Sequence, residues 1–162
     1  APVRRSSIVL GQLLEAVLCT FLEVFIMGVI SLLFSVEFSV GIGAFLLAIL
    51  LVFLVAFFIS GMAYGISLIL PNEVVYETVM NAIVLPLFFL STALFPAEGI
   101  DGVLGVIVNL NPFTHIINAL RSLLLDGTLV ASEMLFVIIL FVAMGGISFG
   151  WAIHRLNRET AL

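Results

Sequence analysis

The chain contains no lysine; its five basic residues are all arginines, at positions 4, 5, 121, 155 and 158. That absence excludes a phosphate-binding loop, whose lysine reaches the terminal phosphates. It also excludes lysine Schiff-base chemistry. Any ATP-driven work must therefore come from another polypeptide. A single cysteine, Cys19, allows no internal disulfide and sits in an apolar run, where it is read as a small packed hydrophobe. Charged residues make up only 9% of the 162 positions, against about 25% in a soluble domain. So few charges cannot cover a water-facing surface, which excludes an ordinary globular enzyme, a disordered chain and a nucleic-acid binder. The net charge of -5 argues against a polybasic surface that recruits anionic lipid.

What is present is apolar: 64% of residues are hydrophobic and the mean hydropathy is +1.40. The class is an all-α integral membrane protein in one domain. Four spans are expected, at about Leu13 to Val36, Val40 to Gly65, Val75 to Phe95 and Met134 to Ile153. The second apolar run continues to Leu70, and Gly61 and Gly65 near its end permit a bend, or a helix that continues into the cytoplasm. The third carries Pro86, which removes a backbone donor and leaves the Ala82 carbonyl free. Asn72 is an N-cap candidate, with Glu73 and Glu77 suiting the positive end of a helix dipole.

Between the third and fourth spans the pattern changes. Gly102 to Leu110 is apolar but too short to cross, and Asn111-Pro112 breaks it. His115 to Leu125 is amphipathic, with Ile116, Ile117, Leu120, Leu123 and Leu124 at helical spacing. Two short re-entrant or interfacial helices are expected there. Arg4 and Arg5 precede the first span, and Arg155 and Arg158 follow the last. An even number of spans with this arginine bias puts both termini in the cytoplasm, at the plasma (inner) membrane. The chain opens at Ala1 with no signal-peptide pattern and reads as a piece of a longer frame or a trimmed product.

Three stretches carry a resemblance. The first is Ala1-Pro2-Val3-Arg4-Arg5-Ser6-Ser7-Ile8-Val9-Leu10-Gly11. The second is Leu85-Pro86-Leu87-Phe88-Phe89-Leu90-Ser91 with Leu94-Phe95-Pro96. The third is Asn111-Pro112-Phe113-Thr114-His115 with Ala119-Leu120-Arg121. In order and spacing they resemble the membrane subunit of ABC exporters of the second export type, the family of drug-resistance, polysaccharide and nodulation-factor permeases. Thr92 stands where that family usually has glycine, and Gln12 where lysine is common. The resemblance implies a six-span domain of which this chain supplies the last four. It implies efflux of a hydrophobic or amphiphilic substrate (a drug, a lipid or a lipid-linked glycan), as in multidrug resistance, by alternating access. The partners implied are a separate ABC ATPase subunit holding ATP and Mg, and a second permease copy in a homodimer or heterodimer. No catalytic, cofactor or metal site is expected in this chain.

Residue by residue, Pro2, Arg4 and Arg5 are placed on the ATPase-coupling side, with simple positive-inside anchoring as the bland alternative. Glu23 lies at span depth, where an ionisable group is costly; it is a candidate for the substrate path or the dimer seam, or a protonated packing residue. Pro86, Ser91, Pro96, Asn111, Pro112 and Arg121 are family motif positions with structural or gating roles. Arg121 has Asp101, Asp126 and Glu133 as candidate partners, and His115 is expected to pack at an interface. Two other functions compete. One is a membrane scaffold or assembly protein without transport. The other is an intramembrane enzyme, disfavoured because no adjacent glutamate pair or histidine cluster occurs.

Overall fold

The computed structural model describes residues 5–36, 41–94, 102–126 and 131–159. The regular elements among them are all helices, in the order α1 (Arg5–Leu33), α2 (Ile42–Ser67), α3 (Glu73–Phe89), α4 (Gly102–Leu110), α5 (Pro112–Arg121), a π-helical turn (Ser122–Asp126) and α6 (Ala131–Glu159). Three stretches, Ser6–Leu33, Ile42–Ser67 and Ala131–Arg158, are long and apolar enough to cross a membrane. The bent pair α4–α5 turns through 76° between Leu110 and Pro112, as a broken span or a re-entrant loop does. The expected all-α membrane fold is therefore present.

Several elements differ from their expected limits: α6 runs on to Glu159, past Ile153, and α5 starts at Pro112, before His115, while α1 and α3 depart for reasons the contacts show. α1 begins at Arg5, well before Leu13, because Val9, Leu13 and Val17 recur every fourth residue and bury one continuous stripe. Its 29 residues span about 43 Å, more than the hydrocarbon thickness. At its far end a Schellman motif closes it. Val36 N–H donates to the Ser31 carbonyl (3.1 Å), Ser35 N–H to Leu32 (3.0 Å), and Ser35 takes φ 59°. α3 is shorter than expected. Asn72 Oδ1 accepts from Val75 N–H at 2.9 Å and caps its start, with Glu73 in the first turn. The helix runs unbroken through Pro86 and stops at Phe89, after 17 residues or about 25 Å.

Packing is concentrated between α2 and α6. Small residues make this possible. A Cβ on Gly61 would lie 2.6 Å from Ser148 Oγ, and one on Gly65 would lie 2.3 Å from two carbons of the Trp151 ring. These two glycines, one turn apart, form a close-contact seam within a continuous helix, so of the two readings the chain takes the continuing helix and not the bend. Two apolar clusters occupy opposite ends of the bundle. One joins Val9 and Leu13 of α1 to Ala152 of α6, with Phe57 and Tyr64 of α2 packed on them. The other joins Ala44, Ala48 and Leu51 of α2 to Ile116, Ala119 and Leu123, and to Met134, Val137 and Phe141 of α6. The start of α1 and the end of α6 thus share one end of the bundle, and the α4–α5 pair fills the other.

Candidate functional site: a polar knot at the apex of a re-entrant pair

Phe113, beside the α4–α5 corner, meets Phe141 edge-to-face with centroids 6.5 Å apart. Phe141 lies about ten residues into α6, so the corner sits about 15 Å below the start of that helix. From there α5 climbs back beside α6, with the His115 ring perpendicular to Phe136 at 5.3 Å. His115 therefore does pack at a helix interface, as expected. A non-helical corner at such depth strands backbone polar groups in an apolar medium, so each one needs a partner.

Asn111 supplies those partners with every polar atom it has. Its own N–H donates back to the Ile107 and Val108 carbonyls at 3.1 and 3.3 Å, and its carbonyl accepts from Thr114 N–H at 3.1 Å. Its Oδ1 accepts from Phe113 N–H at 2.9 Å, capping α5, with Pro112 in the first turn where a missing N–H is harmless. Its Nδ2 donates to the carbonyls of Leu87 (2.7 Å) and Leu90 (2.9 Å). Those two carbonyls belong to the last turn of α3, whose final four have no helical partner. Asn111 is 6% exposed. One side chain therefore starts one helix and ends another.

A second set of bonds lies just beyond. Thr92, with no exposed surface, donates through Oγ1 to Asn118 Oδ1 at 2.7 Å. Arg121 Nη2 donates to the Thr92 carbonyl at 3.1 Å. Ser91 Oγ donates to the Phe88 carbonyl at 2.6 Å and accepts from Ala93 N–H at 3.3 Å, so the chain turns out of α3 on its own hydroxyls. Thr114 Oγ1 is buried under the same knot without a partner among the described residues. An apolar cleft of about 290 Å³ opens beside Asn111, lined by Pro86, Leu87, Leu90, Ile107, Leu110 and Pro112.

The structure thus brings Pro86, Ser91, Asn111, Pro112 and Arg121 to one place. Arg121 serves a backbone carbonyl there; of its expected carboxylate partners, Asp101 lies outside the described residues. Glu23 is not part of the knot. It is exposed on α1, among the exposed side chains of Leu22, Val24, Phe25 and Met27. Pro2, Arg4 and Pro96 lie outside the described residues, and Arg5 opens α1. Thr92 and Asn118 were missed as site residues. The signal for Thr92 was its departure from the glycine usual in the family it resembles. Replacing it with the isosteric Val leaves Asn118 Oδ1 without its hydroxyl donor, at a cost of about 1–2 kcal/mol. Thermal unfolding in detergent checks that value, and Thr92→Ser is expected to recover most of it.

Long apolar helices around a broken pair define a polytopic membrane protein. The family model described as ABC-2 type transporter matches residues 1–125, and the chain belongs to that family. It is thus a multi-pass membrane protein of the permease kind, the component of an ABC transporter that spans the bilayer. No curated protein and no solved structure matches it.

Proposed function

We propose that this chain lines the path of an ATP-driven exporter, moving a hydrophobic or amphiphilic substrate out of the cytoplasm by alternating access. A separate ABC ATPase subunit supplies ATP and Mg, and a second permease copy, in a homodimer or heterodimer, completes the path. Both termini face the cytoplasm at the plasma membrane. The shared placement of the α1 start and the α6 end supports this, as does the arginine bias. The observation that carries the reading is the apex. Irregular backbone at membrane depth is tolerated where it lines something, and here Asn111 fixes it against the end of α3. The α4–α5 pair would then be the outer gate, hinged on the knot. Arg4 and Arg5, at the other end, would face the ATPase.

Deleting the segment before the first span is a poor test, because Val9 is core. The charge reversals Arg4→Glu and Arg5→Glu spare that packing. When the chain is co-purified with its ATPase, amphiphile-stimulated hydrolysis is expected from the native pair. The double reversal should lower it by about tenfold or more, a loss of roughly 1.4 kcal/mol of coupling. A native pair that neither associates nor responds to any amphiphile would overturn the reading.

A further inference from the structure

A second cleft of about 380 Å³ opens between α5 and the start of α6. It is lined by His115, Asn118, Ser132, Glu133 and Phe136, with Ala119 and Val137 as its apolar part. We propose that this cleft binds an organic ammonium group. The inference does not depend on the exporter reading.

Four features of the lining point to that chemistry. Among the described lining residues, Glu133 is the only one with a formal charge at neutral pH when histidine is neutral, so the lining offers an anion and no cation. Arg121, the nearest basic residue in sequence, is not among the lining residues and donates to the Thr92 carbonyl at 3.1 Å. His115 Nε2 lies 2.9 Å from the Asn109 carbonyl, which can only accept, so the proton sits on Nε2. In the neutral ring Nδ1 is then an acceptor. Phe136 is 52% exposed and has His115 perpendicular to it, leaving ring surface for a cation to rest on.

The one hydrogen-bond donor that the neighbouring bonds fix is the Asn118 amide, whose Oδ1 is already taken by the Thr92 hydroxyl. A carboxylate, a ring and a single amide donor suit an ammonium carrying a small acceptor nearby, as in an amino alcohol. They do not suit a phosphate or carboxylate ligand, which would meet Glu133 and find no guanidinium. The wider charge pattern agrees. The sequence from 96 to 133 carries Glu98, Asp101, Asp126 and Glu133 against Arg121 alone. The volume lies at the small end of the range for ligand pockets, about 300–1,000 Å³.

The helix-dipole role of Glu133 in the first turn of α6 is a competing use of the same carboxylate. It predicts a change in stability and none in ligand binding, so the two readings separate. The whole protein is placed in nanodiscs of phosphatidylglycerol and titrated by calorimetry with ethanolammonium chloride at constant ionic strength. Saturable binding is expected, with sodium chloride in the same discs giving none. Glu133→Gln should weaken the binding about tenfold, and Phe136→Leu about threefold. Glu77→Gln, on α3 away from the cleft, should leave it unchanged. Native mass spectrometry on discs doped with phosphatidylethanolamine separates the two sources of the ammonium. Retained phosphatidylethanolamine that Glu133→Gln releases identifies a lipid headgroup. Ethanolammonium binding without such retention identifies a soluble amine, and either result supports the site. The proposal is overturned if the native protein gives no saturable heat, if sodium competes equally, or if Glu133→Gln binds as well as the native chain.

Discussion

Asn111→Leu is expected to be the most damaging single change at the α4–α5 corner. It keeps a side chain of similar size but removes three hydrogen bonds, at 2.7, 2.9 and 2.9 Å. The carbonyls of Leu87 and Leu90 and the N–H of Phe113 are then left in a site where Asn111 itself is only 6% exposed. Each unsatisfied buried group costs about 1–3 kcal/mol, so the loss should be at least about 2 kcal/mol even if one group finds another partner. Asn111→Asp is the informative companion. Its carboxylate still accepts from Phe113 N–H and caps α5. On the α3 side it faces two carbonyl oxygens where an amide N–H₂ had been, so it repels where the native residue bound. Leucine should loosen both sides of the corner and aspartate only the α3 side. Hydrogen exchange at the start of α5 distinguishes them: fast in Asn111→Leu, slow in Asn111→Asp. If thermal unfolding of both variants matches the native protein within about 0.5 kcal/mol, the corner is not held by this residue.

How much of this was legible beforehand varied with how local the cause was. The asparagine–proline break at 111–112 could be read because a proline restricts the residue before it and its own N–H is absent. The cap at Asn72 was legible for the same reason, since its partner Val75 is three residues away. The end of α3 was not. Leu90 to Phe95 contains only Ser91 and Thr92 among apolar residues, and by composition the span runs on. What stops the helix is Asn111, 21 residues beyond Leu90, taking its last carbonyls, together with hydroxyls that bond their own backbone. Thr92 shows the same limit. A departure from the glycine of a resembled family marks the position without revealing that Asn118 and Arg121 converge on it from more than 25 residues away. The motif residues were therefore found as a set, while the bonds that make them one site had to come from the fold.

Gly65→Ala should produce the largest packing defect at the opposite end of the bundle. The sequence permits a bend at this glycine, and a glycine kept only for a bend would accept alanine with little cost, or gain stability from it. The structure gives the opposite expectation, because the new methyl would sit 2.3 Å from two ring carbons of Trp151. A fused ring cannot yield a few tenths of an ångström at one edge, so the whole indole must leave its place. That ring also has the Arg155 guanidinium over it, 5.7 Å from the centroid, and Arg155 Nε is buried without a hydrogen-bond partner among the described residues. Displacing the indole removes the cation–π contact that holds this charge and opens the α2–α6 seam at once. Overpacking of this kind costs about 1–3 kcal/mol, and the lost cation–π contact adds about 0.5–1 kcal/mol. The double variant Gly65→Ala with Trp151→Ala tests the cause. If the ring is the obstacle, removing it first makes the methyl nearly neutral, and the cycle gives a coupling of about 2 kcal/mol. Gly145→Ala provides the contrast: its methyl would meet only the Phe57 ring, at 3.2 and 3.8 Å, so that ring need give by only a few tenths of an ångström. A Gly65→Ala protein that unfolds at the native temperature, with no coupling to Trp151, would show that the seam does not depend on this glycine and leave the close approach of α2 and α6 without an explanation.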